Sequence, residues 1–479
     1  ALLSANLVTF ILMRHTIGFF LNGTPIEIDF AKETNLYPQM PVLQYLRNHM
    51  RLTGTAQGCG TGDCGSCMVA LAQRDKNKST RLYAVNACLM LLGMMDGKHL
   101  ITIEGIEQNG KKHPVQEVLT DSPSGIIMAA YAAYENGVPF TRDTLKTILS
   151  GNICPDGSYI KVQQALVAME HRRNRLHKET FVVPEDNPFV FFCKSPVGDY
   201  IKPRTLEQLL MYRKTYPTYH TVCGASGFSV YQALEHPETK PVIDISDIPD
   251  LKRIVETEAF VTFGAGVTIE AFRETLVRHY PGAQEYLLSF ASLPVRNRAS
   301  LAGNLAGVSS VGDILPLLLA LDAELELASL GKSRKVPADT FAIGYHTDIL
   351  GRDELIAAVR IPKPSATRRL YAHKQAKRHN MDISTLTCCL AFDIIDNTLR
   401  HVTTGFGGMA PTPIRPAGLE AFLEGKPFTE DTFLQAAALV PNLFSTISDV
   451  RGSTGYRKQV VSNVIITCFW ETLKSRQDA

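Results

Sequence analysis

The order of apolar and polar positions divides the chain into stretches of different period. Gly18 to Asp29 alternates on either side of Asn22-Gly23, and both residues of that pair tolerate the positive φ of a tight turn, so a hairpin is predicted. Val42 to Asn48 has helical spacing, and a glycine- and cysteine-rich loop follows from Gly54 to Cys67. MVALAQRD and the stretch around RLYAVNAC predict strands of a small β-rich unit that ends with ITIEGI near residue 106. From His113 to about His171 the period becomes helical: Ile127, Tyr131 and Tyr134 share a face, as do Leu145, Ile148 and Leu149. Thr141 is placed to cap the helix TRDTLKTIL, with Asp143 in its first turn. The polar, proline-containing passage 171–188 reads as a linker. From Phe189 strands and helices alternate: TYHTV leads through CGASG into FSVYQAL, PVIDI is a buried strand, and AFVTFGAGV precedes TIEAFRETL. From Leu370 onward, strands (LTCCLAFDII, HVTTGFGG) precede helices (TFLQAAALV, YRKQVVSNVIITCFWETL). There is no internal repeat and no low-complexity segment.

Length and composition narrow the function classes. A chain of 479 residues suggests about three domains. With 45% hydrophobic and 20% charged residues it can build real cores. A net charge of +2 gives no reason to propose nucleic acid or a membrane surface as partner. The basic run His171 to Lys178 is read as a solvated helix end or linker. No uncharged apolar stretch is long enough to span a membrane. The opening ALLSANLVTFILM lacks the basic segment and cleavage site of a signal peptide and is read as an added strand or tail. Ten cysteines are too few for a disulfide scaffold, but four lie within 30 residues, which points to a metal centre in a reducing compartment, by default the cytoplasm.

Those four carry the sharpest signal. Cys59, Cys64 and Cys67 in GCGTGDCGSC, with Cys88 in NAC, give Cys-x4-Cys-x2-Cys and a distant fourth thiol, the plant-type spacing for a [2Fe–2S] cluster. Gly58, Gly60, Gly62 and Gly65 let the loop wrap closely, and their N–H groups can bond to sulfur. Zinc sites usually show two Cys-x2-Cys pairs, and only one is present here. The second signal is weaker. Gly224, Ala225, Ser226 and Gly227 lie between a strand and a helix, where consecutive N–H groups can cradle a pyrophosphate, or merely make a tight connection. Cys388-Cys389, in an apolar strand, points to opposite faces and reads as core; Cys223 beside the glycine turn is not assigned a catalytic role.

GCGTGDCGSC and NACLM after an LNG hairpin closely resemble the ferredoxin domain of the xanthine dehydrogenase family of molybdenum hydroxylases. HPVQ, SGNIC, ASLAGNLA, YAHKQAKR, MDIS and FGGMA follow in that family's order, over residues from about 18 to 475. The resemblance implies an α+β multidomain chain. Its parts are a β-grasp ferredoxin-like domain (16–106), a small helical domain (107–172), a linker (173–188), an α+β FAD-binding domain of the xanthine dehydrogenase/vanillyl-alcohol-oxidase type (189–364) and a C-terminal α+β domain (365–479). It implies that only the large molybdenum-binding domain is lacking, as in the small subunit of two-subunit bacterial enzymes. It implies FAD held by Gly224, Ala225, Ser226 and Gly227, by Ser300, Gly303 and Asn304 in a second glycine-containing turn, and by Asp313, Phe290 and Lys374. Ala225 and Gly227 depart from the family pattern, the second losing an acidic side chain and leaving binding to the backbone, and Ala302 still permits a close approach at some steric cost. The family's helical domain holds a second cluster on two cysteine pairs. Here VQEVLTDSPS has no cysteine, and Cys154 is followed by Asp156 where its companion belongs, so one cluster per chain is expected.

The resulting reading is an electron-transfer subunit of a xanthine dehydrogenase-like molybdenum hydroxylase. It would pass electrons through a [2Fe–2S] cluster to FAD, and then to NAD⁺ or another acceptor. No Gly-x-Gly-x-x-Gly nicotinamide fingerprint is present. The implied partners are a molybdopterin-bearing large subunit that oxidises a purine or related heterocycle, in a dimer of heterodimers. No catalytic acid or base is assigned to this chain. Two rivals are a degenerate structural or regulatory subunit and a stand-alone iron–sulfur flavin reductase.

Overall fold

A computed structural model describes residues 14–74, 79–107, 110–154, 157–170, 181–184, 187–195, 197–234 and 240–477. The opening tail, the basic run at 171–178, much of the expected linker and Asp156 lie outside the described residues. The chain forms two compact units: residues 1–212, 218–248 and 292–299, and residues 213–217, 249–291 and 300–479.

The first unit begins with the hairpin of β1 (Thr16–Leu21) and β2 (Thr24–Asp29), turning on Asn22 at φ 51° and Gly23 at φ 82°. It joins β3 (Met68–Arg74), β4 (Thr80–Asn86) and β5 (His99–Ile101) in a sheet of order β2-β1-β5-β3-β4, parallel only between β1 and β5. Alternation along β3 assigns its faces. Val69 and Leu71 join a core with Ile17, Phe19, Val42 and Leu46, while Met68, Ala70 and Ala72 face the helical domain. The helical run from Val42 extends to His49 and ends in a wide turn, the Met50 N–H bonding back to the Tyr45 carbonyl at 3.1 Å.

The helix Ser124–Glu135 packs on β3 and β4, and eleven of its twelve residues are buried. The single face expected of Ile127, Tyr131 and Tyr134 is therefore an underestimate: sheet and neighbouring helices enclose this helix on all sides. Thr141 caps Arg142–Ile148, its Oγ1 accepting from the Thr144 N–H at 3.2 Å. A second sheet in this unit has the order β6-β7-β9-β8, from β6 (Phe191–Cys193), β7 (Tyr200–Lys202), β8 (His220–Val222) and β9 (Val242–Asp244). The segment Ser292–Ala299 is bolted onto this unit. The Leu293 N–H donates to Ser150 Oγ at 3.0 Å, and Asn297 Nδ2 donates to the Ala84 carbonyl at 3.0 Å.

The second unit holds an antiparallel sheet of order β10-β11-β16-β12-β13: β10 (Ile254–Glu256), β11 (Phe260–Gly264), β12 (Glu324–Ser329), β13 (Lys332–Pro337) and β16 (Leu355–Pro362). The short pair β14 (Ala342–Gly344) and β15 (Thr347–Asp348) lies between β13 and β16 in the chain. A three-stranded meander follows, of β17 (Arg368–Gln375), β18 (Leu386–Ile395) and β19 (Thr398–Gly407). The helix Ile314–Ala320 and the helix Thr454–Gln477 both pack on β18. Cys388 and Cys389 consequently have no solvent exposure, and burial pushes both thiols up. They are core residues.

Candidate cluster and flavin sites

The loop between Gly58 and Cys67 turns on three glycines with positive φ, Gly60 (77°), Gly62 (83°) and Gly65 (74°). These turns aim backbone N–H groups at sulfur. Cys59 Sγ accepts from the N–H of Thr61 at 3.3 Å, Asp63 at 3.2 Å and Cys64 at 3.4 Å, and Cys64 Sγ accepts from the Cys59 N–H at 3.3 Å. Gly58 has no room for a side chain, since a Cβ there would stand 2.6 Å from Cys64 Sγ. Asn86, just before the fourth cysteine, donates to the Gly62 carbonyl at 2.7 Å and ties β4 to the loop.

The thiols associate two by two. Burial pushes Cys59 up, but the Thr61 hydroxyl and the loop N–H groups outweigh it and bring the thiol down to about 7. Cys67 and Cys88, both buried, share a hydrogen bond that lowers Cys67 and raises Cys88. Among the described residues no three His, Cys, Asp or Glu side chains gather as they would around a single ion. Three thiols on the loop and a fourth just after β4, associated two by two, are the donor set of a binuclear cluster with two thiolates per iron, so these residues fit a [2Fe–2S] group.

Beyond this loop the helical domain contributes packing. His113 caps the helix Pro114–Val118, and its Nε2 lies 3.0 Å from Glu135 Oε1 in a buried pair. Cys154 is buried, its sulfur 3.1 Å from Ser158 Oγ and its N–H donating to the Tyr159 oxygen at 2.7 Å.

In the first unit, the turn after β8 positions the first four candidate flavin residues. Gly224 is required by close approach, because a Cβ there would stand 1.8 Å from the Arg298 carbonyl oxygen. Ala225 sits at φ 58°, in the left-handed region. Ser226 and Gly227 belong to the first turn of the helix Ser226–Leu234, where N–H groups have no intrahelical partner. A Cβ at Gly227 would meet open space, so the departure there removes an acidic side chain without altering the packing. This turn suits a pyrophosphate through its backbone.

In the second unit, the expected glycine turn at Ser300–Asn304 is the start of a helix, Leu301–Ala306. Ser300 caps it, Oγ accepting from the Gly303 N–H at 3.2 Å, so that amide is already used. This corrects the reading of that stretch as an open turn: Ala302 and Leu301, both good helix formers, continue the cap into a helix. Asn304 Oδ1 accepts from the Ile314 N–H at 3.3 Å and joins this helix to the next. Asp313 is anchored from three sides. Lys374 Nζ reaches its Oδ2 at 2.8 Å, the Ser384 hydroxyl donates to Oδ1, and the Tyr286 hydroxyl donates to its carbonyl at 2.5 Å. Lys374 also donates to the Ser289 carbonyl at 3.2 Å. Phe290 is buried next to that serine. A cavity of about 300 Å³ opens beside Lys374, lined by Glu285, Tyr286, Ser289, His373 and Arg378 among others. Burial lowers His373, which favours the neutral ring. Ser289 and Tyr286 were not singled out from the sequence and no local motif marks them, while Ser384 closes the MDIS motif but was given no role there.

Three stretches of the chain match known protein families. Residues 19–92 match the family described as 2Fe-2S iron-sulfur cluster binding domain. Residues 194–364 match the FAD binding domain in molybdopterin dehydrogenase, and residues 371–472 the CO dehydrogenase flavoprotein C-terminal domain. Taken together, these three matches support a molybdenum hydroxylase family member. Relatives in this molybdenum hydroxylase family include xanthine dehydrogenase of Emericella nidulans, 27% identical over 93% of this chain and 38% of that protein. Xanthine dehydrogenase of Drosophila subobscura is 27% identical over 94% of this chain and 39% of that protein. The chain thus spans less than two-fifths of the length of these relatives. Among solved structures, carbon monoxide dehydrogenase from Hydrogenophaga pseudoflava superposes with a TM-score of 0.53 and 24% identity, over 56% of this chain and 94% of that one. Quinoline 2-oxidoreductase from Pseudomonas putida 86 gives a TM-score of 0.54 at 21% identity, over 59% and 99%. These likenesses support the mixed α+β multidomain fold.

Proposed function

We propose that this chain is the electron-transfer subunit of a xanthine dehydrogenase-like molybdenum hydroxylase. It takes electrons from a separate molybdopterin-bearing large subunit and delivers them, through one [2Fe–2S] cluster and FAD, to NAD⁺ or another acceptor. The observation that carries this reading is the loop of Cys59, Cys64 and Cys67, whose N–H groups point at sulfur, brought against Cys88 beyond β4, in a chain that also matches an FAD-binding domain. The cluster and flavin supply, respectively, one-electron relay and conversion between one- and two-electron chemistry. The chain's residues do the rest. Cys59, Cys64, Cys67 and Cys88 are the ligands. Loop N–H groups lower the cost of negative charge on sulfur. Gly224, Ala225, Ser226 and Gly227 offer backbone donors to the FAD phosphates. Ser300, Gly303, Asn304, Asp313, Phe290 and Lys374 shape the remaining contacts, with Asp313 and Lys374 held ready by each other. Four cysteines gathered as a metal centre rather than a disulfide scaffold suit a reducing compartment, and we assign the chain to the cytoplasm. No described helix is long and apolar enough to cross a membrane.

The test is anaerobic titration of the purified chain with dithionite and separately with NADH, followed by visible and electron paramagnetic resonance spectra. The reading predicts a single spin-half signal per chain from reduced iron, with flavin bleaching. Bleaching by NADH would mark a nicotinamide as the flavin's partner, with hydride transfer run in reverse; NADH bleaching in a chain that a molybdopterin-bearing large subunit and its substrate fail to reduce would favour the stand-alone flavin reductase. Neither signal, after anaerobic reconstitution, would leave a structural subunit.

A further inference from the structure

The helical domain meets the cysteine loop at one place, and the fit there is unusually close. Gly65 lies in the four-residue link between Cys64 and Cys67, so it joins the two thiol pairs. The Cys64 carbonyl accepts from the Ile153 N–H at 2.9 Å. A Cβ on Gly65 would stand 2.4 Å from the Gly151 carbonyl oxygen and 2.7 Å from Asn152 Oδ1. A Cβ on Gly125, in the first turn of the buried helix Ser124–Glu135, would stand 2.1 Å from the Gly65 carbonyl oxygen and 3.1 Å from Asn152 Oδ1. Gly65 is thus gripped on both faces, and its carbonyl also accepts from the Met68 N–H at 3.1 Å as the chain enters β3. Gly151 is fixed in turn, with φ 79° and no room for a side chain against Ser292.

We propose that the helical domain is a brace for the cluster on Cys59, Cys64, Cys67 and Cys88, and that Gly125, Gly151 and Asn152 are positioning residues that set its reduction potential. The inference rests on the cluster reading above. Its physical basis is that the potential of such a centre depends on N–H···S bonds and on solvent exposure. The Cys64–Gly65 peptide leads directly out of that network: the Cys64 N–H donates to Cys59 Sγ at 3.4 Å and Cys64 Sγ accepts from the Cys59 N–H at 3.3 Å, so how the peptide is held bears on those bonds. A domain without the family's full set of second-cluster cysteines therefore retains a role in electron transfer.

The test uses Gly125→Ala. Alanine at this helical position is intrinsically better than glycine, so the helix is not weakened and the new methyl acts on the Gly65 carbonyl. In a redox titration of the full chain followed by electron paramagnetic resonance, the oxidised-to-reduced ratio at fixed potential should change about tenfold, ~59 mV for a one-electron couple, with altered g-values. Asn152→Ala, which adds no clash, should shift it in the same experiment by a smaller amount. Loss of iron from a Gly125→Ala protein with wild-type helix content also supports the brace. Wild-type midpoints and spectra in both iron-loaded variants would overturn it. A wild-type chain that binds no iron would overturn the cluster reading itself, a separate result.

Discussion

Two neighbouring residues in the β8 turn make opposite demands on the backbone. Gly224 has the Arg298 carbonyl 1.8 Å from where a Cβ would stand, so Gly224→Ala must push the turn and segment 292–299 apart. A cost of about 2–3 kcal/mol is expected, with loss of flavin. Ala225 holds φ 58°, which costs an L-residue about 1–2 kcal/mol. Ala225→Gly relieves that, while losing a buried methyl and gaining unfolded-state entropy, so stability should stay within about 1 kcal/mol of wild type. Urea denaturation of both variants checks the contrast. Cys64→Ser should leave less than about a tenth of wild-type iron, since a cluster of this type needs four thiolates; metal analysis after anaerobic reconstitution decides it. How far each residue was legible follows from how local its partners are. Three of the four candidate ligand cysteines lie within nine residues, so their spacing alone suggested a cluster. Asp313 and Lys374 are separated by 61 residues, and Ser384 by 71 from Asp313, so only resemblance pointed to the first two, and the third lay in the MDIS motif with no role assigned.

At the scale of elements, buried charge ties the ferredoxin sheet to the second sheet of the first unit. Asp247 accepts a hydrogen bond from Lys98, just before β5, and forms an ion pair with Lys202 at the end of β7, each at 2.7 Å, and Lys202 also faces Asp244 at 3.5 Å. Nearby, Asp96 pairs with Arg14 and with Arg204, the latter at 2.5 Å. Asp247→Asn leaves two buried ammonium groups short of a carboxylate and should cost about 3–5 kcal/mol. Adding Lys202→Met should recover much of it; a double-mutant cycle by chemical denaturation measures the coupling. Burial pushes the Asp96 carboxyl up, but Arg14, Lys202 and Arg204 outweigh it and hold it below its usual 3.8. A lowered folded pKa means its stabilisation is complete above 3.8 and is lost as pH falls below that value. The stability gap between wild type and Asp96→Asn should therefore be full at pH 7 and shrink below pH 3.8. The hairpin at Asn22-Gly23 and the Thr141 cap were readable because turn and cap chemistry is written in adjacent residues. The helical start at Ser300 was not, because glycine and asparagine in Ala302-Gly303-Asn304 signal a turn while the Ser300 cap overrides them.

At the scale of the whole molecule, the mixed α+β, multidomain character was legible from changes of period along the chain. The membership of residues 218–248 and 292–299 in the first unit was not. It depends on contacts such as Asn297 to Ala84 and Leu293 to Ser150, which span 213 and 143 residues and leave no mark on local pattern. The central claim is that this chain carries one iron–sulfur cluster and one flavin. Iron, acid-labile sulfide and flavin per chain, measured on freshly and anaerobically purified protein, test it most directly. The account predicts two irons, two sulfides and one FAD, as follows from four thiolates around one binuclear centre. Four irons would contradict the single-cluster reading, and a chain that takes up neither iron nor flavin on reconstitution would contradict electron transfer altogether.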